Sequence, residues 1–328
     1  MTISVALCTY NGALYIKEQI ESIHSQTMPV DEIVVCDDGS IDNTLQIVEG
    51  LKHNTVVDIR IYKNEKNLGV SDNFQKAIDL CHGDIIFLSD QDDIWLPDKV
   101  QTFANYFATN PGISVCFSNA FLVNSDGTIT SGKYNQLWDY TFNHRYRKIF
   151  DKGFYLECFL GGASAVRTTG ATMAIRSQFL KNNPFAHLCN GEVMHDFAIA
   201  LLASEQNTIG YIDKPLIQYR LHPSQTCGLF DAPYPNDYHK KAYYSLYVID
   251  FAITPHLTHQ GSIDRTLFYK KRMQNTCKKY GFIAFFLTIK QYFHYYGKYT
   301  PLFLQIDLHA WFKQITNKTN RRKGPGHF

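Results

Sequence analysis

The chain lacks any C-x-x-C pair. Its eight cysteines, Cys8, Cys36, Cys81, Cys116, Cys158, Cys189, Cys227 and Cys277, are scattered over 328 residues, which removes the spacing that zinc and dithiol redox sites require. Several stand inside apolar runs, where cysteine behaves as a small hydrophobe, so free thiols in a reducing compartment are expected. Charge of one sign is also missing: a formal net charge of +2 gives no bulk electrostatic reason to expect nucleic acid as a partner. No apolar run reaches the roughly 20 residues that span a bilayer. The longest late candidate is 282–289. The first strand-like run is not preceded by a basic segment and cleavage site, so a cytoplasmic location is expected. Internal repeats are absent. What remains is a chain with 45% hydrophobic residues, enough for a large core.

Two periods alternate through the first third of the sequence. Strand-like runs at 3–7, 32–36, 57–61 and 85–88 are separated by helical patterns carrying Ile16, Ile20 and Ile23, then Leu45, Val48 and Leu51, then Phe74, Ala77, Ile78 and Cys81. This β-α-β-α order predicts a parallel, doubly wound sheet covered by helices. Ligands bind such sheets outside the carboxyl ends of the strands. The polar motifs fall at those ends: Cys8-Thr9-Tyr10-Asn11-Gly12 after the first strand, Asp37-Asp38-Gly39-Ser40 after the second, and Ser89-Asp90-Gln91-Asp92-Asp93 after the fourth. Pro97 then opens a helix with Val100, Phe103, Ala104 and Phe107, and 113–123 reads as a strand closed by the Asn124 to Gly127 turn.

The acidic stretch is the anchor of the functional reading. Asp90, Asp92 and Asp93 crowd one strand end, where like charges repel unless something compensates them. Their hard oxygen donors make a candidate site for Mg²⁺ or Mn²⁺. A solvated acidic turn is the alternative that this tripeptide pattern leaves open. Further on, 171–175 reads as a short strand and 208–212 as another apolar segment leading to Tyr219-Arg220-Leu221-His222. Between them His195-Asp196 opens a helix with Phe197, Leu201 and Leu202. Asp196 stands in its first turn, where the helix dipole favours a carboxylate whether or not it has a chemical role.

The aromatic, basic stretch 134–159 fits neither period. After 228 the composition shifts to many aromatics with helical spacing at Phe285, Ile289, Tyr292 and Tyr296. The expected organisation is a catalytic domain over 1–228 and a mainly helical region over 229–328 that ends in a disordered tail. Two arrangements of that region stay open. Phe285, Phe286, Ile289, Lys290 and the Arg321-Arg322-Lys323 tail suit peripheral contact with an anionic membrane, and the same helices suit a plain packed core.

Taken in order, Thr9-Tyr10-Asn11, Asp37-Asp38-Gly39-Ser40, Asn67-Leu68-Gly69, the Asp90 to Asp93 cluster, His195-Asp196 and Tyr219-Arg220-Leu221-His222 resemble family-two nucleotide-sugar glycosyltransferases. These are inverting enzymes of the GT-A fold. Ser89-Asp90-Gln91-Asp92-Asp93-Ile94-Trp95 is similar in wording to rhamnosyltransferase-like enzymes of bacterial surface polysaccharides. The resemblance implies a dTDP- or UDP-sugar donor, with the nucleoside held by Thr9, Tyr10, Asn11, Asp38 and Asp90. Tyr10 would stack on the pyrimidine, and Asp38 would accept from its ring N–H. It implies a divalent metal at Asp90, Asp92, Asp93 and His222, and Asp196 as the base that takes a proton from a saccharide or lipid-linked saccharide acceptor.

Two departures stand out. Cys8 occupies a position where relatives often carry a hydroxyl, and Val70-Ser71-Asp72 lacks an arginine that many place near the diphosphate. Other classes fit less well. A sugar nucleotidyltransferase needs a basic Gly-rich loop after the first strand, and no Lys or Arg occurs there before Lys17. A processive synthase needs membrane spans and a Q-x-x-R-W motif. A non-catalytic sugar-nucleotide-binding protein is excluded only by turnover.

Overall fold

The computed structural model describes residues 1–52, 57–130, 135–137, 169–189, 194–223 and 225. They belong to one compact unit. The expected helical C-terminal region, its tail and most of the stretch 134–159 lie outside the described residues.

The alternating periods become alternating elements. Strand β1 (Ile3–Thr9) is followed by α1 (Ile16–His24), β2 (Glu32–Asp37), α2 (Thr44–Lys52), β3 (Asp58–Lys63), α3 (Val70–Leu80) and β4 (Ile85–Ser89). The apolar stripes face inward as their spacing requires: Ile16, Ile20 and Ile23 of α1 and Phe74, Ala77 and Ile78 of α3 are buried. Helix α3 packs on β1 and β2. Every residue of β2 and of β4 is buried, as expected for strands covered on both faces. Truncating Phe74, 1% exposed, to alanine would cost about 3–5 kcal/mol.

Beyond β4 come β5 (Ile94–Trp95), α4 (Lys99–Thr109), β6 (Val115–Val123), a 3-10 turn (Gly170–Thr172), β7 (Met173–Arg176), α5 (Ser177–Asn182), α6 (His195–Glu205) and β8 (Ile209–Arg220). The sheet order is β3-β2-β1-β4-β7-β6-β8-β5. Strands β1, β2, β3 and β4 run parallel. β6 and β8 are also parallel, whereas β7 runs antiparallel to both β4 and β6. The sheet is therefore mostly parallel, with an antiparallel strand inserted at its middle. The apolar segment expected at 208–212 and the motif it leads to form one continuous strand, β8, bent by register shifts opposite Ser118, Asn119 and Phe121.

This topology assembles the site. The parallel run of β1, β2, β3 and β4 places their carboxyl ends on one edge. The two-residue strand β5 pairs Ile94 with Gln218 and Trp95 with Ile217 of β8. The acidic loop is thereby clamped between β4 and β5, and the end of β8 is brought beside it.

Candidate active site

The ends of β1 and β2 are tied by side chain to backbone hydrogen bonds. Asp37, fully buried, accepts from Thr9 Oγ1 at 2.9 Å and from the Ser40 amide at 2.9 Å. Ser40 Oγ in turn accepts the Asn11 N–H at 2.8 Å, and Asn11 Oδ1 accepts the Ile41 N–H at 3.0 Å. Thr9 and Asn11 thus shape the turn, and Tyr10 is left 51% exposed at its tip. Asp38 is 4% exposed. Its Oδ1 accepts from Asn64 Nδ2 at 2.8 Å and the Leu68 N–H at 2.7 Å, and its Oδ2 accepts the Gly69 N–H at 2.9 Å. The Asn67-Leu68-Gly69 motif is therefore folded onto Asp38. Gly69, at φ 84°, sits in the left-handed region that lets its N–H turn back to the carboxylate as α3 begins.

The acidic loop is joined to the β1 turn by Gln91. Its amide pairs both ways with the Tyr10 backbone, accepting the N–H at 2.9 Å and donating to the carbonyl at 3.0 Å. Asp90 is partly buried, and burial together with the charges of Asp92 and Asp196 pushes its carboxyl up to about 7. Asp92 Oδ2 lies 2.8 Å from His222 Nε2. Asp93 is 1% exposed and takes the Arg220 N–H on Oδ1 at 3.0 Å, while its Oδ2 is buried with no hydrogen-bond partner. Burial, then Asp92 and Asp90, drive the Asp93 carboxyl well above the ordinary range.

Arg220 locks this loop from below. Its guanidinium, 2% exposed, donates to the Asp92 carbonyl at 2.8 Å and the Ser125 carbonyl at 2.8 Å, and pairs with Glu18. It also lies 4.6 Å from the centre of the Tyr15 ring, which is 4.9 Å from the His222 ring.

Asp196 stands at the start of α6. Its Oδ2 accepts the Gly170 N–H at 3.0 Å and its Oδ1 the Phe197 N–H at 2.7 Å. Its charge adds to burial and Asp92 in raising the Asp90 carboxyl. His195 is 4% exposed, stacks on Phe74 with ring centres 4.0 Å apart, and has no hydrogen-bond partner on either nitrogen. Burial lowers its imidazole below the usual value against the pull of Asp196.

Residues 4–171 match the family model described as Glycosyl transferase family 2. The chain belongs to that family. A dTDP-rhamnosyl transferase, RfbG of Shigella flexneri, is 30% identical over 229 residues, covering 68% of this chain and 73% of that protein. An uncharacterized glycosyltransferase of Methanocaldococcus jannaschii is 29% identical over 222 residues, 67% of this chain and 70% of that one. The fold is shared with S. aureus TarS 1-349, crystallised in complex with UDP-GlcNAc, at a TM-score of 0.57 and 18% identity over 92% of this chain and 84% of that one. The expected GT-A architecture is the one observed.

Within this family-two chain, the structure brings together Thr9, Tyr10, Asn11 and Asp38 at the ends of β1 and β2, and Asp92 and His222 at the acidic loop that also carries Asp90, while Asp196 stands at the start of α6, tied to the Gly170 turn. Asp93 lies beneath them in the interior. Among the described residues no set of three His, Cys, Asp or Glu side chains already converges as a metal site. The donor chemistry nevertheless suits a hard cation. Asp92 Oδ2 and His222 Nε2, 2.8 Å apart, have the separation of adjacent ligands on one ion, and Mg²⁺ typically takes one or two carboxylates and completes its shell with substrate phosphates and water. Sequence reasoning missed Gln91, Glu18 and Lys99. Gln91 stands inside the acidic motif without a role of its own in the sequence, and only the topology reveals the partners of Gln91 and Glu18.

Proposed function

We propose that the protein transfers a sugar, rhamnose in this reading, from a dTDP- or UDP-linked donor to a saccharide acceptor in surface-polysaccharide synthesis, by a single inverting displacement. The observation that carries the reading is the Asp196 carboxylate, held by the Gly170 and Phe197 N–H groups with lone pairs to spare, in a chain whose acidic loop pairs Asp92 with His222 at the end of β8. The rhamnosyl assignment follows the Shigella relative.

Asp196 takes the proton of the acceptor hydroxyl as its oxygen attacks C1 of the donor sugar. The new C–O bond forms on the face opposite the nucleotide, and the old bond breaks with its electron pair on the departing diphosphate. The N–H groups of Gly170 and Phe197 each occupy one lone pair of the Asp196 carboxylate and leave a second for the acceptor. Tyr10 offers an exposed ring on which a pyrimidine can stack, and Asp38 Oδ2 keeps a lone pair for the base ring N–H. Thr9 and Asn11 hold the turn beneath. Asp92 and His222, with Asp90 beside them, would hold Mg²⁺ or Mn²⁺, which when bound supplies positive charge to the leaving diphosphate. Asp93 anchors the loop to Arg220.

No described helix is long and apolar enough to cross a membrane. A cytoplasmic enzyme meeting a lipid-linked acceptor at the membrane face fits the C-terminal composition. That part of the reading concerns residues outside those described.

A panel of dTDP- and UDP-sugars, assayed for transfer with Mn²⁺ and after chelation, tests the proposal. Asp196→Asn should lower transfer by about 10²- to 10⁴-fold and leave nucleotide affinity unchanged. Near wild-type transfer by that variant would reassign the base. Nucleotide binding without turnover of any donor would make the protein a sugar-nucleotide-binding module instead.

A further inference from the structure

Lys99 is fully buried. Its ammonium donates to the Ala171 carbonyl at 2.8 Å and lies 3.8 Å from the centre of the Trp95 ring, with Phe87 farther off at 5.8 Å. Burying an ammonium among aromatic rings costs several kcal/mol unless opposite charge and hydrogen bonds compensate it. An apolar side chain would suit the Phe87, Trp95 and Phe103 surroundings better. Compensation comes from the acidic loop: burial draws Lys99 down to about 7, against an upward pull from Asp93 and then Asp90. The lysine is thus held between the ring of Trp95, two residues past Asp93, on one side and one carbonyl on the other.

That carbonyl belongs to the Gly170–Thr172 turn, and the turn has a second attachment. The N–H of Gly170, one residue before the carbonyl that Lys99 holds, donates to Asp196 Oδ2 at 3.0 Å. The turn is tightened by Thr172, whose N–H and Oγ1 both donate to the Thr169 carbonyl at 2.9 and 2.8 Å. A continuous path therefore runs from the acidic loop through Lys99 and the turn to Asp196.

We propose that Lys99 is a positioning residue for the transfer step: by holding the Ala171 carbonyl under the acidic loop, it fixes the Gly170 N–H that orients the Asp196 carboxylate. Donor-side loop and acceptor-side base then keep one spacing. The inference rests on Asp196 being the base.

The test measures kcat, donor KM, nucleotide affinity and a melting curve on the full chain. Lys99→Met keeps the linear side chain but removes the donors. It should lower kcat by about 10- to 10²-fold through misplacement of the base, with donor KM and nucleotide affinity within about twofold of wild type. Lys99→Arg keeps a cation with donors and should retain more kcat than Lys99→Met. Wild-type kcat in a folded Lys99→Met, a loss carried mainly by KM, or equal losses in both variants would overturn the proposal.

Should Lys99→Met fail to fold, Gly170→Ala decides. A Cβ there meets His195 Nε2 at 3.0 Å and Asp196 Cβ at 3.6 Å, so it disturbs the same turn from the Asp196 side. A fall in kcat at unchanged nucleotide affinity supports the path, and wild-type kcat sinks it. Asp196→Asn, run alongside, separates the two readings. If it retains near wild-type transfer, the base assignment has failed; if it loses transfer while Lys99→Met does not, only the role of Lys99 has.

Discussion

Two carboxylate sites at opposite ends of strands β1, β2 and β4, Glu32 at the amino ends and the Asp90 to Asp93 loop at the carboxyl ends, are treated in opposite ways. At the amino ends, the buried Glu32 carboxylate accepts from Ser4 Oγ at 2.5 Å and the His82 N–H at 2.6 Å, and pairs with Arg60. Burial alone would raise this carboxyl, but the hydrogen bonds from Ser4, His82 and Arg60 outweigh it and hold it below the ordinary value. At the carboxyl ends, Asp90 is pushed up by burial, Asp92 and Asp196, and Asp93 by burial, Asp92 and Asp90; Asp93 Oδ2 has no hydrogen-bond partner, and neither nitrogen of His195 has one. At one end the Glu32 carboxylate is matched within the chain, and Arg60 Nε is the buried atom there left without a hydrogen bond. At the other, Asp93 Oδ2 and both His195 nitrogens stay unmatched within the chain, which makes it a candidate for a site whose local rules yield to function.

Acid removal at the two ends should therefore have opposite consequences. The largest effect is on chemistry: Asp92→Ala should lower transfer by at least about 10²-fold, since the group expected to hold the diphosphate's counter-charge is gone. Its melting temperature should hold or rise, and a thermal scan beside the assay checks both. Glu32→Gln should leave the site intact and cost about 1.5–3 kcal/mol at neutral pH, as a buried charged hydrogen-bond network loses its charge. The sign with pH follows from the lowered carboxyl. Its stabilisation is complete above the unfolded value near 4.5 and is lost as pH falls through the lower folded value. The gap between wild type and Glu32→Gln in urea unfolding should thus close in acid; a gap that persists there would show that packing, not charge, is responsible.

Asp90→Asn sharpens the contrast. Relief of repulsion from Asp92 and Asp196 should stabilise the metal-free protein by about 1 kcal/mol, within the range that removal of functional strain provides. Destabilisation instead would place Asp90 with Glu32 as a structural acid.

How much of this was legible in the sequence depends on whether the signal was periodic or topological. Expected strand starts and ends fall within three residues of β1, β2, β3, β4 and β6, because burial on both faces imposes an apolar run that turn residues delimit. The Asn124 to Gly127 turn is present, with the Gly127 N–H donating to the Asn124 carbonyl at 2.9 Å. Asp196 stands in the first turn of its helix as its sequence setting suggests. The antiparallel placement of β7 between β4 and β6 was not legible, since a four-residue strand has no pattern that names its neighbours. Nor was the burial of Lys99, which in sequence is a polar residue near a helix start. Arg220 was visible as part of a motif, but its pairing with Glu18, some two hundred positions away, emerges only from the fold.

The smallest expected effect concerns Gln91, and it tests whether the two strand ends proposed to form the nucleotide side are coupled. The Gln91 amide is bonded to the Tyr10 backbone in both directions, and a Cβ on Gly12 would come 2.1 Å from Gln91 Oε1. Gly12 therefore leaves the space that the amide occupies. Gln91→Ala should cost about 0.5–1 kcal/mol, because the bonds it removes are solvent-accessible and water can replace them. Gly12→Ala should cost a similar amount by pushing the same amide away, the flexible end of Gln91 moving before the backbone does. The double variant should then be little worse than either single one, giving a coupling of about 0.5 kcal/mol or more in the mutant cycle. Donor KM should rise together with the stability loss, since Tyr10 is the ring on which the base is proposed to stack. Strict additivity in the cycle would mean that Gly12 serves only its own turn, where its carbonyl accepts the N–H groups of Tyr15 and Ile16 at 3.0 Å.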